Sequence, residues 1–503
     1  MAIAIDKNLI EDVNDPSFDV INYCIKKHEQ ELPRLQMLFD YYRGLPHKLG
    51  SVPDAKLNDP HELDEIYVNN AKYVTDMMTG FTVGNPISYT ADNDKNIDDV
   101  IAAMDVMRIA KHDKELEKDL STMGIGYELH YLSVVPGTEE NQAPETEPKV
   151  ASIDPRGMIL VVDDTVDRNY LFAIRPYEKE DLEGNKIYEY TIYTAVGIIT
   201  YKSKVKGLVD GQLSEEPTYV NHFYGMVPVV EFRNNEEKQG DYEQQLSQID
   251  AYNLLQTERI KDKKNFVKAM MILYGFSLPE EKPRETPSGQ KIIEAPAKED
   301  GANVEFATNT LDETQTQVLA DSLLDDFHKS AYVPNLNDKD FAGNISGEAM
   351  KYKLLGLLLA LSVKTGYFED GIIRRLKLLE NIVNVSKHAN NDTSGAEIKF
   401  KVNLPFNRKD VIDQIRDSQD FVPLLISLGW LDDVDDPQQL LDMLHDQQDD
   451  NMQRQEKLFG IQAKDSHSDL EVDEGNSNED DDSSQPATLE GEDENSKKKG
   501  AKK

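Results

Sequence analysis

The sequence predicts an α+β protein in which amphipathic helices flank a middle region of short strands. Three observations carry this. Apolar residues recur at helical spacing up to about residue 44, again from Asp241 to Lys268, and again from Leu311 to Tyr332. Between Gly124 and Tyr224, alternating runs such as YELHYLSVV and KIYEYTIY are separated by loops of Glu, Gly, Asn and Pro. The 503 residues are 39% hydrophobic and 30% charged, enough for two to four packed units beneath a very charged surface.

The formal net charge is -39. Such a chain will not hold DNA tightly, because phosphate binding rests on Lys and Arg displacing counterions. A polyanion can still pass through an assembly of it, and weak attachment suits movement. The single cysteine, Cys24, excludes an intrachain disulfide and fits a reducing compartment. The opening MAIAIDKNLIEDVND lacks the basic start and apolar core of a signal peptide. No apolar run approaches the roughly 20 residues that a bilayer needs.

Taken in order, residues 1–50 read as helical, clearest in INYCIKKHEQELPRLQMLFDYYRG. Leu35, Leu38, Phe39 and Tyr42 form an apolar face, and Gly44 is the stop. His61 to Gly80 reads as a second helix on the spacing of Ile66, Val68, Tyr73, Val74 and Met77. Gly84, Asn85 and Pro86 then turn the chain into a strand from Ile87 to Thr90. The acidic turn Asp92 to Asp99 is either a cation site or a solvated turn with a helix cap. It lacks the Gly and terminal Glu of an EF-hand loop, which favours the turn.

Lys114 to Met123 is helical and leads into a strand. Tyr127, Leu129 and Tyr131 alternate there as in a half-buried strand. Further strands are expected at Lys149–Ile153, Met158–Val162, Tyr170–Tyr177, Ile187–Tyr193, Gly197–Tyr201 and Thr218–Tyr224. Gly137 to Pro148 has no apolar content and reads as an exposed, mobile tip.

Asp241 is placed to cap a helix running to Lys268, with Leu246, Ile249, Tyr252, Leu255 and Ile260 as its apolar face. Arg259, Lys261, Lys263, Lys264 and Lys268 gather at its end. Cations there either offset the helix dipole or meet an anion. Ala269 to Thr310 holds short strands, AMMILYG, KIIEAPA and NVEFAT, around a Pro-rich segment. In the helix Leu311–Tyr332 the inner stripe is Val318, Leu319, Leu323 and Phe327, and His328 reads as a cap to free carbonyls rather than a ligand.

A polar loop, Asn335 to Asn344, carries Phe341 in its midst, and Ser346 is placed to cap the long helix that follows. Leu354, Leu355, Leu357, Leu358, Leu359 and Leu361 cover most of that helix's circumference. A helix apolar all round is buried on every side, by its own chain or by copies of it. Past Gly366 the pattern returns to one face, with Ile372, Ile373, Leu376, Leu379, Ile382 and Val383. A strand at Glu397–Val402, a helix at Asp410–Leu428 and a further acidic helix follow, and the composition beyond Ala463 is that of a disordered tail.

Catalytic signatures are missing. There is no Walker phosphate loop, no H-E-x-x-H, no C-x-x-C and no G-x-S-x-G elbow. Carboxylate pairs such as Asp163–Asp164 either chelate magnesium, as in a nuclease, or arise by chance in so acidic a chain.

Five stretches in order carry a resemblance: LFDYYRG, GFTVGNPISY, VPVVEFRNN with GD after it, NDKDFAGNISGEAMKYKLLGL, and LPFN. Together they resemble the portal proteins of tailed bacteriophages, of the siphophage type from phages of Gram-positive hosts. The resemblance implies a portal fold with wing, stem, clip and helical crown, assembled as a ring of about twelve copies around an axial channel. By it, residues 1–232 are wing, 233–268 the first stem helix, 269–310 the clip and 311–333 the second stem helix. Residues 334–345 are the tunnel loop, 346–409 a long kinked helix with a wing return strand, 410–462 the crown and 463–503 a disordered acidic tail.

The resemblance also implies roles. Asn337, Asp338, Lys339, Asp340, Phe341 and Asn344 of the tunnel loop face DNA. Arg259, Lys261, Lys264 and Lys268 form a basic collar, touching phosphates weakly or pairing with acidic neighbours. Leu354, Leu355, Leu357, Leu358 and Leu361 make a subunit interface. Implied partners are further copies of the chain, double-stranded DNA, the terminase large subunit, the major capsid and scaffolding proteins, and a head-completion adaptor. No membrane, cofactor, metal or catalytic residue is implied. The expected place is the portal vertex of the virion, and the host cytoplasm during assembly. The alternatives are a metal-dependent phage nuclease and a monomeric scaffold or adaptor.

Overall fold

The computed structural model describes residues 2–45, 66–91, 95–135, 145–180, 182, 184–267, 270–276, 292–297, 301–307, 313–336, 350, 352–402, 408–431, 434 and 437–465. The chain forms two compact units, Met1–Asp413 and Gln414–Lys503.

The first unit opens with β1 (Ile3–Ile5), α1 (Phe18–Glu29) and α2 (Leu32–Arg43). The expectation of helix from residue 1 is corrected here, because Ile3 to Ile5 add a parallel strand to a sheet formed far along the chain. Gly44 ends α2 as expected, in a left-handed conformation at φ 67° that a side chain would strain. The second helix, α3 (Asn70–Val83), starts later than its periodicity suggested. Ile66 to Val68 are not helical, and the Asn69 side chain accepts from the Lys72 N–H to cap the helix. Then come β2 (Ser88–Thr90), α4 (Asp98–Val106), α5 (Ile109–Met123), β3 (Ile125–Val135) and β4 (Glu145–Ile153). Part of the expected mobile tip is therefore strand: Glu145 to Pro148 pair with Val135 to Leu132. Residues 136–144 lie outside the described residues.

All six strands expected after Gly137 are present, from β4 through β5 (Ile159–Asp163), β6 (Tyr170–Glu180), β7 (Lys186–Tyr193) and β8 (Gly197–Ser203) to β9 (Thr218–Asn221). β10 (Val229–Arg233) and α6 (Leu246–Val267) follow. Next are β11 (Met270–Tyr274), β12 (Ile292–Ala295), β13 (Asn303–Ala307), α7 (Glu313–Ser330), α8 (Leu355–Lys387) and β14 (Glu397–Lys399). One sheet runs β1-β5-β6-β7-β8-β9, antiparallel except at β1, and a second runs β10-β3-β4. A small sheet β12-β11-β13 and the pair β14-β2 complete the set.

Helix α1 covers one face of the six-stranded sheet through Ile21, Cys24 and Ile25. Burial pushes the Cys24 thiol up to about 12, so it is an inert core residue. The other face packs on the second sheet, where Tyr127 and Leu129 of β3 meet Leu160 and Ala173. The far face of β3 is closed by α5 and α8. This corrects the half-buried reading of β3, since Glu128 and His130, the polar half of the alternation, are as buried as Tyr127.

Their burial is made possible by Arg375 of α8, itself fully buried. Its guanidinium lies 2.7 Å from both Asp113 and Glu128, and its Nε–H donates to Glu128 at 2.9 Å. The Glu128 carboxylate also meets Nε2 of His112 and Nε2 of His130, each at 2.7 Å. Burial alone would raise the Glu128 pKa, but Arg375 and the two histidines hold it well below the usual carboxylate range. Close approach is built in as well. A Cβ on Gly371, one turn before Arg375, would stand 2.3 Å from the Phe232 ring.

In the second unit, α9 (Arg408–Ser418), which spans the boundary, is followed by α10 (Leu424–Leu428) and α11 (Pro437–Asp465). The single helix expected over Asp410–Leu428 is interrupted: α9 ends at Ser418, and Pro423, which has no N–H to donate and takes a non-helical ψ of 137°, stands before α10.

Replacing Arg375 with Ala strands two buried carboxylates. We expect a loss of about 3–5 kcal/mol from the first unit, read as a lower denaturant midpoint.

Candidate functional site

Helices α6 and α7 bracket the small sheet β12-β11-β13, as the sequence suggests for 269–310. They run as an antiparallel pair. At one end the Gln245 amide donates to the Ser330 carbonyl at 3.1 Å, and the Ser330 hydroxyl donates to Gln248 at 3.0 Å. At the other end Arg259 reaches Glu313 at 2.5 Å and Gln317 at 3.0 Å, and Lys263 reaches Glu313 at 3.0 Å. Hydrogen bonds from Arg259 and then Lys263 hold the Glu313 carboxyl below its ordinary value. Arg259 is thus engaged by its own hairpin, the acidic-neighbour outcome for that member of the basic cluster. The side chains of Lys261 and Lys264, and Lys268 as a whole, lie outside the described residues.

Two expectations for these helices are corrected. Asp241 does not cap α6, because its carboxylate accepts from Lys364 at 2.6 Å and from Asn234 at 2.8 Å. The buried stripe of α7 is Thr316, Ala320 and Phe327, whereas Val318 is 64% exposed and Leu319 51%. On α6 the buried positions include Asn253 and Thr257, whose side chains accept from the N–H groups of Val68 and Ile66 at 2.9 and 3.0 Å. Polar residues inside the helix thus hold a non-helical segment whose periodicity suggested a helix.

The chain leaves α7 through a fixed joint. His328 Nδ1 bonds the Val333 carbonyl at 3.1 Å, past the end of α7, rather than one of the helix's own free carbonyls. The Tyr73 hydroxyl donates to the Pro334 carbonyl at 2.7 Å, and its ring meets His328 edge-on at 5.6 Å. The tunnel-loop residues Asn337, Asp338, Lys339, Asp340, Phe341 and Asn344 lie outside the described residues, as does Ser346.

The described residues do not cover helix α8 all round. Leu354, Leu357 and Leu361 are buried against α2, α3, α6 and α7. Leu355 is 50% exposed and Leu359 62%, with Tyr352 and Val363 continuing the uncovered stripe. Leu358 is half-buried. The two cations on the buried side, Lys364 and Arg375, were passed over in the sequence. Their signal is their spacing, since both fall in line with Leu361, Phe368, Ile372 and Leu379 on the apolar stripe.

Asp99, in the first turn of α4, pairs with Lys387 at 2.8 Å, and Asp163 accepts from Thr165 and Asn169 within its own turn. Among the described residues no three His, Cys, Asp or Glu side chains are grouped to hold an ion. No helix among them is long and apolar enough to cross a membrane.

A hairpin of helices around a small sheet, set on a β-sandwich and backed by one long helix, is thus the architecture that carries the candidate surfaces. Residues 21–454 match the family model described as phage portal protein, SPP1 Gp6-like. The chain is 22% identical over 379 residues to the portal protein of Bacillus phage SPP1, covering 70% of this chain and 67% of that one. It is 21% identical over 382 residues to the portal protein of Clostridium phage phiCD119, covering 74% and 83% respectively. The chain therefore belongs to the phage portal protein family, a family of structural capsid components.

Changing Glu313 to Ala frees Arg259 and Lys263 together. We expect faster amide exchange at the facing ends of α6 and α7, an unchanged melting temperature, and an effect that shrinks in high salt, because exposed ion pairs are screened.

Proposed function

We propose that copies of this chain close into a ring of about twelve around an axial channel at one capsid vertex. DNA enters through the channel during packaging and leaves through it at ejection. The observation that carries this is the family match over residues 21–454 together with an uncovered leucine stripe on a helix otherwise built into the core. A closed ring needs a heterologous contact, one patch of each copy meeting a different patch of the next. Leu355, Leu358 and Leu359 supply one such patch, while Leu354, Leu357 and Leu361 serve the chain's own core.

In this reading 1–232 is the wing, 233–268 and 311–333 the stem and 269–310 the clip. Residues 334–345 are the tunnel loop, 346–409 the long helix with its return strand, and 410–462 the crown. The clip docks the terminase large subunit and later the head-completion adaptor, and the wing and crown meet capsid and scaffolding proteins. Lys261, Lys264 and Lys268 make the collar, with Arg259 spent on the hairpin. Conduction is passive: terminase supplies the chemistry, and this chain catalyses nothing. The overall charge of -39 suits a channel that lets DNA slide. A nuclease or a monomeric adaptor is disfavoured by the length of the family match.

Native mass spectrometry with electron microscopy tests the ring. The full chain should give closed rings of about a dozen subunits, and these should leave DNA intact with magnesium or manganese. The double change Leu355→Gln and Leu359→Gln should leave a folded chain that no longer closes. Rings from that variant would remove the stripe from the interface, and a compact monomer that cut DNA would overturn the function.

The tunnel loop is tested by deleting residues 338–343. Rings should form normally, while packaged or retained DNA falls at least severalfold. Full heads in normal yield would end the gating role of Phe341 and Lys339.

A further inference from the structure

Lys364 of α8 lies fully buried where three elements meet. Its ammonium is 2.6 Å from Glu117 of α5 and 2.6 Å from Asp241, which leads into α6. Asp241 is itself fixed, accepting from the Asn234 amide at 2.8 Å and donating its N–H to the Ser121 carbonyl near the end of α5 at 2.8 Å. The Thr82 hydroxyl of α3 faces Glu117. The Tyr242 hydroxyl, beside Asp241, donates away to the Leu38 carbonyl at 2.6 Å. Asp113, one turn before Glu117 on α5, points to Arg375. One cation therefore faces two carboxylates, with Lys364 and Glu117 buried and Asp241 nearly so.

A surplus buried charge is costly, and the cheapest relief is a proton. Burial pushes the Glu117 carboxyl up to about 7, against the pull of Lys364. Burial also works against the Lys364 charge, but Asp241 and Glu117 together hold its pKa above the ordinary value. The ammonium stays charged, and the proton exchanged near neutrality belongs to the carboxyl.

We propose that the cluster is a proton-linked latch: protonating Glu117 leaves Lys364 and Asp241 as a charge-balanced pair and locks α8 to the head of α6. Ionising Glu117 divides the ammonium between two carboxylates and loosens the joint. The position matters, because Lys364 separates the uncovered stripe of Leu355, Leu359 and Val363 from the half of α8 pinned by Arg375. The latch thus acts on the N-terminal part of α8, Leu355 to Lys364.

The sign follows from linkage. A carboxyl whose folded pKa is raised contributes nothing above that value. Its contribution grows as pH falls towards the ordinary carboxylate range. His130, whose pKa is lowered by burial, acts in the opposite sense in acid, so the comparison must be made between variants.

Hydrogen exchange on the full chain, as protection factors corrected for intrinsic rate, reads the latch at pH 6 and pH 8. Peptides over residues 242–250 and 355–366 should gain protection at the lower pH, by no more than about tenfold per pH unit, the limit for one linked proton. Glu117→Gln should hold the protected level at both. Asp241→Asn, which removes the competing carboxylate, should move the midpoint of the pH dependence downward. A wild-type chain with no pH dependence, a Glu117→Gln variant that keeps it, or an unmoved midpoint in Asp241→Asn would each overturn the latch.

Discussion

The first unit depends on one charge placed where charges are rarely tolerated. Arg375 enters the core from α8 and meets Asp113 of α5 and Glu128 of β3, with two histidines closing the remaining lone pairs. A guanidinium suits this task because its planar fork serves two carboxylates at once. The cluster joins a helix near residue 375 to a helix and a strand near residues 113 and 128. It sets which faces of α5, α8 and β3 come together. Hydrophobic packing beside it, Phe232 against Gly371 and Phe368, is tight and limits the register of the helix as well. The ion cluster accepts one register, because any other strands a buried charge.

That constraint divides α8 into two parts of different character. From Lys364 onward the helix is held by buried charge and by the sheet beneath it. Before Lys364 it has core on one side, while Leu355 and Leu359 face outward. The hairpin of α6 and α7 joins the core through Ile249 and Phe327, while its far end is tied by the ion pairs of Arg259 and Lys263 with Glu313.

Much of this was legible in the residues. The strands of the sandwich, the hairpin around a small sheet and the stop at Gly44 follow from local patterns, because turns, caps and alternation are short-range physics. The errors have a common cause. Ile3–Ile5 looked helical because its partner strand is more than 150 residues away. Ile66–Val68 looked helical because nothing local reveals that Asn253 and Thr257 will take its N–H groups. Asp241 looked like a cap because an Asp before a helix usually is one. Glu128 and His130 looked solvent-facing because a polar residue in an alternating strand usually is. In each case a distant partner outbid the local preference.

The amino-acid order by itself determined the class of fold, the order of its elements and, through its motifs, the family. Those depend on periodicity and turn chemistry, which act within a few residues of one another. Only the tertiary structure decided which leucines of α8 belong to the chain's own core and which remain uncovered, and where the buried charges find their partners. A helix apolar all round carries no mark of which side its own chain will fill. A lone Lys or Arg on an apolar stripe carries no mark of the carboxylate that will neutralise it, because that partner is chosen by the packing of elements hundreds of residues apart.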